Sequence, residues 1–227
     1  MIRIFIFSYS GDAAEAVACV RCARMSVPCA SVTVVDDASS PVQEETAEAL
    51  RSMGAEYVQS SWERHGNLRG PDCIRGMLSE MCREAEDDDI LVKVDCDTAL
   101  LDGGWLRWME QRPWCQMYTS GDFVNGDWRV FGCLYALRGW IARRLYREMD
   151  WTLLDDRAPE DWTIGREVLA RVPATLCRID EPWRKRSPWS VWTAWCWPSR
   201  TVSAESYAAR FAVVITGSPR MPDQPAS

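Results

Sequence analysis

The feature that most constrains this chain is an alternation in its first 95 residues. Short apolar runs, rich in β-branched side chains, take turns with segments whose apolar residues recur at helical spacing. Residues 2–7 form an apolar strand run that ends in Ser8-Tyr9-Ser10-Gly11. Ser10 or Asp12 can cap the next segment, where Ala13, Ala16, Val17, Val20 and Ala23 follow helical spacing. Residues 31–35 predict a second strand, ending at Asp36-Asp37. Pro41 opens a second helix and Gly54 closes it. Tyr57 and Val58 mark a weaker third strand, and Pro71 starts a helix running towards Glu86. Residues 89–94 are a fourth strand, which ends at Asp95.

A β-α-β-α-β-α-β order predicts an α/β fold: a Rossmann-like, mainly parallel sheet flanked by helices on both faces. Ligands of such sheets lie at the carboxyl ends of the strands. Ser8-Tyr9, Asp36-Asp37 and Asp95-Cys96-Asp97 all stand at such ends, so three separate stretches share one edge. The second half is less regular. Residues 103–111, 140–149 and 159–172 read as helices, and residues 116–120 and 129–137 as strands around the turn-rich Asn125-Gly126-Asp127. Residues 1–216 are expected to form a single domain, with 217–227, rich in Pro and polar residues, as a flexible tail.

The net charge of −7 narrows the partners. Binding a nucleic acid polymer through phosphate neutralisation favours a basic surface, so no such partner is expected. A single nucleotide remains open, because a metal can supply positive charge that the protein lacks. The ten cysteines are scattered, several within apolar runs, and read as small buried hydrophobes in a reducing compartment. Cys19-x-x-Cys22 with Cys29 suggests zinc only weakly, since there is no second such pair and the single histidine is His65. The N-terminal apolar run is too short for a signal sequence, and no window nears the ~20 apolar residues of a bilayer span. A cytoplasmic protein is expected, one that touches a membrane at most peripherally.

Asp95-Cys96-Asp97 is the sharpest motif. Two carboxylates at i and i+2 after a buried strand can face one loop, and hard oxygen donors suit Mg²⁺ or Mn²⁺, ions that keep positions for substrate phosphates. The plain alternative is a solvated loop with two ordinary acids. Asp36-Asp37-Ala38-Ser39 can hydrogen-bond a base or ribose, or simply form a strand-ending turn and helix cap. Pro159-Glu160-Asp161-Trp162 puts two acids in the first turn of a helix, where they stabilise its dipole or serve as a general base.

These motifs, in the order Phe7-Ser8-Tyr9-Ser10, Val34-Val35-Asp36-Asp37-Ala38-Ser39, Val94-Asp95-Cys96-Asp97 and Pro159-Glu160-Asp161-Trp162, resemble those of glycosyltransferases of the A-type fold, especially the large family 2. The resemblance covers roughly residues 1–170, with His65-Gly66-Asn67-Leu68-Arg69-Gly70 in place of that family's Asn- and Gly-containing stretch. It implies a main sheet with a smaller, mixed second sheet. It also implies transfer of a sugar from a nucleoside-diphosphate donor, most often UDP, to a carbohydrate or other hydroxyl acceptor, with Mn²⁺ or Mg²⁺ as cofactor. In that scheme Ser8 and Tyr9 line the base pocket, and Asp37 contacts the base with Asp36 nearby. Arg69 reaches the base or phosphates, Asp95 touches ribose or sugar beside the metal, and Asp97 binds the metal. Asp161 is the catalytic base, Glu160 its fallback, and displacement inverts the anomeric carbon. Residues 132–136 resemble the strand beside the acceptor. Many relatives add a late histidine as a metal ligand. Here His65 is the only histidine, so a third ligand is another group or water.

Trp183, Trp189, Trp192, Trp195 and Trp197 crowd one segment with Arg184, Lys185 and Arg186. They fit a core-closing cluster, a sugar platform, or an interfacial membrane contact. Two other functions compete with transfer. One is a nucleotide-sugar-binding domain that has lost turnover. The other is a haloacid dehalogenase-like phosphatase, suggested by Asp95-Cys96-Asp97-Thr98. Against it, Thr98 falls one residue early and the motif follows the fourth strand instead of the first.

Overall fold

β1 (Ile2–Ser8) shows the logic of the whole sheet. Ile2, Ile4 and Ile6 face one core and Phe5 and Phe7 the other, as a strand buried on both faces requires. The computed structural model describes residues 1–64, 68–124, 127–180, 193–194 and 212–215. The alternation continues through α1 (Ala13–Ser26), β2 (Ser31–Asp36), α2 (Glu44–Ser52), β3 (Glu56–Gln59), α3 (Pro71–Cys82) and β4 (Ile90–Asp95). Then come β5 (Thr98–Leu100), α4 (Gly104–Glu110), β6 (Met117–Val124), β7 (Asp127–Arg138), α5 (Gly139–Glu148) and α6 (Glu160–Arg171). β8 (Cys177–Asp180), β9 (Thr193–Ala194) and β10 (Val213–Ile215) complete the strands among the described residues.

Seven strands form the main sheet in the order β3-β2-β1-β4-β7-β6-β8. β3, β2, β1 and β4 run parallel, β7 is antiparallel to β4 and β6, and β8 is parallel to β6. A second, mixed sheet has the order β5-β10-β9. One core holds residues of α1, α2, α4 and the small sheet, and the other holds residues of α3, α5 and α6. Helices therefore cover both faces, and each fully buried Ile, Leu or Met side chain contributes roughly 2 kcal/mol. The strand order reverses at β1, whose neighbours β2 and β4 are reached by crossovers on opposite sides. In an open α/β sheet such a reversal is where a ligand crevice lies, here at the carboxyl ends of β1 and β4.

Several boundaries differ from the sequence expectation for identifiable reasons. α2 starts at Glu44 and not at Pro41, because the Asp36 carboxylate accepts a bond from Val42 N at 2.8 Å and holds the lead-in extended. α3 ends at Cys82 and not near Glu86, where the Asp89 carboxylate accepts from Glu86 N at 3.0 Å and closes a turn. β5 and β8 were not expected, and each is a short strand paired with a distant segment. The tail expected at 217–227, the Trp-rich stretch except Thr193 and Ala194, and His65, Gly66 and Asn67 lie outside the described residues. Among the described residues, no helix is long and apolar enough to cross a membrane.

Gly139 joins β7 to α5 in close contact with the turn before β4. Its N–H donates to the Asp89 carbonyl at 2.9 Å, and a Cβ there would collide with the backbone carbonyl of Glu86. Backbone cannot yield as a side-chain tip can. Gly139→Ala is expected to destabilise the protein by about 3 kcal/mol, read from denaturant unfolding. An unchanged midpoint would contradict this packing.

Candidate active site

The crevice floor is built from strand ends in register. Ser8 of β1 pairs with Asp36 of β2, and Phe7 with Asp95 of β4. Asp36 is fully buried and accepts from Ser8 Oγ at 2.7 Å, Tyr57 Oη at 2.6 Å and Val42 N. Ser8 is equally buried. Both sequence-nominated residues thus lie beneath the crevice and fix its floor, with no surface to offer a ligand. Asp37 follows. One of its oxygens accepts from Ser39 N and Oγ at 2.9 and 2.7 Å, and the other from Arg64 N at 3.0 Å. The loops after β1 and β2 are further stitched by Ser10 N donating to the Ser40 carbonyl at 2.7 Å.

Asp37 thereby places a residue that the sequence reading missed. Arg64 is buried, and its guanidinium lies 5.2 Å above the Tyr9 ring and pairs with Asp12 at 2.8 Å. It also feels the charges of Asp95 and Asp97, so among the described residues it is a cation on this side of the crevice. Its Nε is buried without a hydrogen-bond partner. The available signal was its address, the loop following a parallel strand. Arg69 stands elsewhere. Its backbone pairs with Pro159, and its side chain lines a cleft of about 750 Å³ with Trp62, Arg75, Tyr146 and Asp156, to which none of the acids of the two motifs contributes.

Period-two geometry explains the acidic centre. Lys93 and Asp95 project from the same face of β4, two residues apart, and Lys93 Nζ lies 2.6 Å from Asp95 Oδ1. The intervening Val94 and the following Cys96 turn to the opposite core, where the Cys96 thiol donates to the Phe7 carbonyl at 2.8 Å. The Lys93 ammonium also pairs with Glu160 at 3.1 Å and donates to the Gly132 carbonyl. Glu160 and Asp161 form the first turn of α6, after Pro159 at the cap. Leu68, Arg69 and Gly70 run beside residues 158–160: Glu160 N donates to the Leu68 carbonyl at 3.1 Å and Gly70 N to Ala158 at 3.0 Å. Gly70 adopts φ +78°, and a Cβ there would sit 2.7 Å from the Asp156 carbonyl oxygen, so this close approach requires glycine. On β7, a Cβ on Gly132 would lie 3.1 Å from Asp161 Cβ and 3.2 Å from Glu160 Oε2. The missing side chain leaves room for both acids.

The electrostatics follow from this crowding. Burial, and then the neighbouring Asp95 charge, push the Asp97 carboxyl up to about 6. Burial also raises Asp161, against the Trp162 N–H and the Lys93 charge. Glu160 is raised by burial with Asp95 and Asp161 nearby, while Lys93 pulls it down. Burial alone would lower Lys93, but Asp95 and Glu160 raise it overall, so it stays an ammonium. Among the described residues acids outnumber cations here, an imbalance that a bound cation would relieve. Among the described residues no three His, Cys, Asp or Glu side chains gather as a metal-ligating set. Asp95 and Asp97 still fit an ion that takes one or two carboxylates and completes its shell with water and phosphate oxygens.

No family description matches the chain, and no curated protein matches its sequence. Solved structures match its shape. The galactosyltransferase LgtC, in complex with donor and acceptor sugar analogues, aligns over 96% of this chain and 88% of its own at 13% identity and TM-score 0.55. A cytidylyltransferase from Leptospira borgpetersenii aligns over 84% and 79% at 16% identity and TM-score 0.54. Glucosyl-3-phosphoglycerate synthase from Mycobacterium tuberculosis, with Mn²⁺, uridine diphosphate and glucosyl-3-phosphoglycerate, aligns over 80% and 69% at 12% identity and TM-score 0.52. The chain has the A-type nucleotide-sugar transferase fold.

Proposed function

We propose that the protein is a glycosyltransferase that moves a sugar from a nucleoside-diphosphate donor, most simply a UDP-sugar, to a hydroxyl acceptor. One observation carries this reading: at the carboxyl edge of the parallel strands, where the strand order reverses, Lys93 joins Asp95 to Glu160, with Asp161 next to Glu160 and Asp97 within reach of the Asp95 and Lys93 charges. The fold neighbours lend support, since one holds sugar analogues and another holds Mn²⁺ with UDP and a glucosylated product.

In this reading Tyr9 flanks the base and Arg64 faces the diphosphate, the role earlier assigned to Arg69. Asp97, with Asp95 beside it, would hold Mn²⁺ or Mg²⁺. When bound, the ion supplies Lewis-acid charge to the leaving nucleoside diphosphate. Asp161 accepts the proton of the acceptor hydroxyl as that oxygen forms its bond to the anomeric carbon. The bond from that carbon to the diphosphate breaks, and a single displacement of this kind inverts the centre. A carboxyl raised by burial is a better base than an ordinary one, which suits Asp161. Glu160 is more deeply buried and ion-paired, which suits positioning more than proton transfer.

A second reading, a nucleotide-sugar-binding domain without turnover, draws on the absence of a three-ligand metal set among the described residues. The phosphatase reading has no support, because the motif follows β4, deep in the sheet order. For nucleotidyl transfer, the loop after β1 offers one glycine, Gly11, and no basic residue.

Three outcomes test the proposal. Asp97→Ala should abolish metal-dependent UDP binding in calorimetric titration. Asp161→Asn should bind UDP normally and lose transfer by at least about a thousandfold, the scale of a lost general base. Retained turnover would reject Asp161 as the base, and transfer absent even from the unmodified protein would favour the binding domain. The third outcome concerns pH. A carboxyl that holds its proton more tightly folded than unfolded lowers stability as pH rises between about 4 and 6, and the loss is complete above that window. In chelator, Asp97→Asn should therefore be more stable to denaturant than the parent near neutral pH, by roughly 1 to 2 kcal/mol, with the gap closing towards about pH 4. A gap that widens on acidification would contradict the assignment.

A further inference from the structure

We propose that Lys93 is a positioning residue that couples the donor-binding and base-bearing halves of the site, an inference that rests on the transferase reading above. Lys93 is 1% exposed in the middle of β4, within the run Ile90-Leu91-Val92-Lys93-Val94. A lysine is almost never so buried unless paired, and a well-packed apolar side chain there would generally serve stability as well or better. Its presence is explained by what its ammonium joins. Asp95 closes β4, Glu160 opens α6, and the Gly132 carbonyl belongs to β7. These three elements are far apart in sequence, and the ammonium meets all of them, through an ion pair to Glu160 and hydrogen bonds to Asp95 and the Gly132 carbonyl. The face of the Tyr135 ring, 5.8 Å away, forms a fourth side.

The consequence is geometric. Asp95 belongs to the carboxylate pair that anchors the donor, while Glu160 is covalently next to Asp161, the base. One charge shared between Asp95 and Glu160 fixes where the base stands relative to the donor. It also offsets the mutual repulsion of acids that would otherwise part the two halves. Lys93 touches no reacting atom in this scheme. It acts through Asp95 and through the first turn of α6.

The test is a kinetic cycle on the full chain with Lys93→Met, Glu160→Gln and the double substitution. Lys93→Met should lower kcat by about a hundredfold with donor KM changed less than about threefold, since misplacing a base costs turnover more than binding. Glu160→Gln should cost about tenfold in the parent and less than about twofold once Lys93 is Met, because the two act through one contact. Lys93→Arg, which keeps the charge, should recover part of the rate. Losses that simply multiply, or a folded Lys93→Met with parental kcat, overturn the proposal. If Lys93→Met does not fold, Asp95→Asn and Glu160→Gln are combined instead and read by melting temperature. Strong non-additivity supports the shared ammonium, and additivity overturns it. A parent with neither nucleotide binding nor transfer defeats the transferase reading and with it the catalytic role, while the melting cycle separately decides whether Lys93 joins Asp95 to Glu160.

Discussion

A single buried ammonium stands where acids from two distant parts of the chain would otherwise repel one another. Lys93 meets Asp95 from its own strand and Glu160 from the head of α6, and its third bond ends on the β7 backbone. Removing one partner of a buried pair leaves an uncompensated charge and typically costs several kcal/mol, so these groups hold their places together or not at all. The crevice geometry therefore depends on this cluster as much as on the sheet beneath it. The rest of the acidic edge, including Asp97 and Asp161, takes its electrostatic character from the same crowding.

The sheet supplies the address and the loops supply the fittings. Strand order 3-2-1-4 places the ends of β1 and β4 side by side. Asp36 and Asp37 spend their oxygens on Ser8, Val42, Tyr57, Ser39 and Arg64. They shape the floor and hold Arg64 in position. Gly70 and Gly132 do the converse by omission. One lets the strap at 68–70 lie against 158–160, and the other leaves the gap that Glu160 and Asp161 fill.

The parallel half of the fold was legible because its strands are β-branched runs that each stop at a polar group, and their period survives in the sequence. The positions of Asp36-Asp37 and Asp95-Asp97 were legible for the same reason, since each pair stands at a strand end, while Glu160 and Asp161 read as the head of a helix. What stayed hidden depends on long-range contacts. The late start of α2 is set by the Asp36 carboxylate, which holds Val42 N, and β5 exists because β10, more than a hundred residues later, pairs with it. Arg64 and Arg69 look alike in sequence. Only the path of the chain sends one guanidinium over Tyr9 towards the acids and the other into a separate cleft. The Glu160 and Gly132 partners of Lys93 become visible only when α6 is folded against β7.

The most direct measurement is a crystal soaked with UDP and Mn²⁺, with the ion located by its anomalous scattering. The ion is expected on the Asp97 carboxylate, with the diphosphate between it and Arg64 and the base beside Tyr9. A manganese peak away from the Asp95–Asp97 edge, or a nucleotide seated in the Trp62–Arg69 cleft, would contradict the assignment of the donor site.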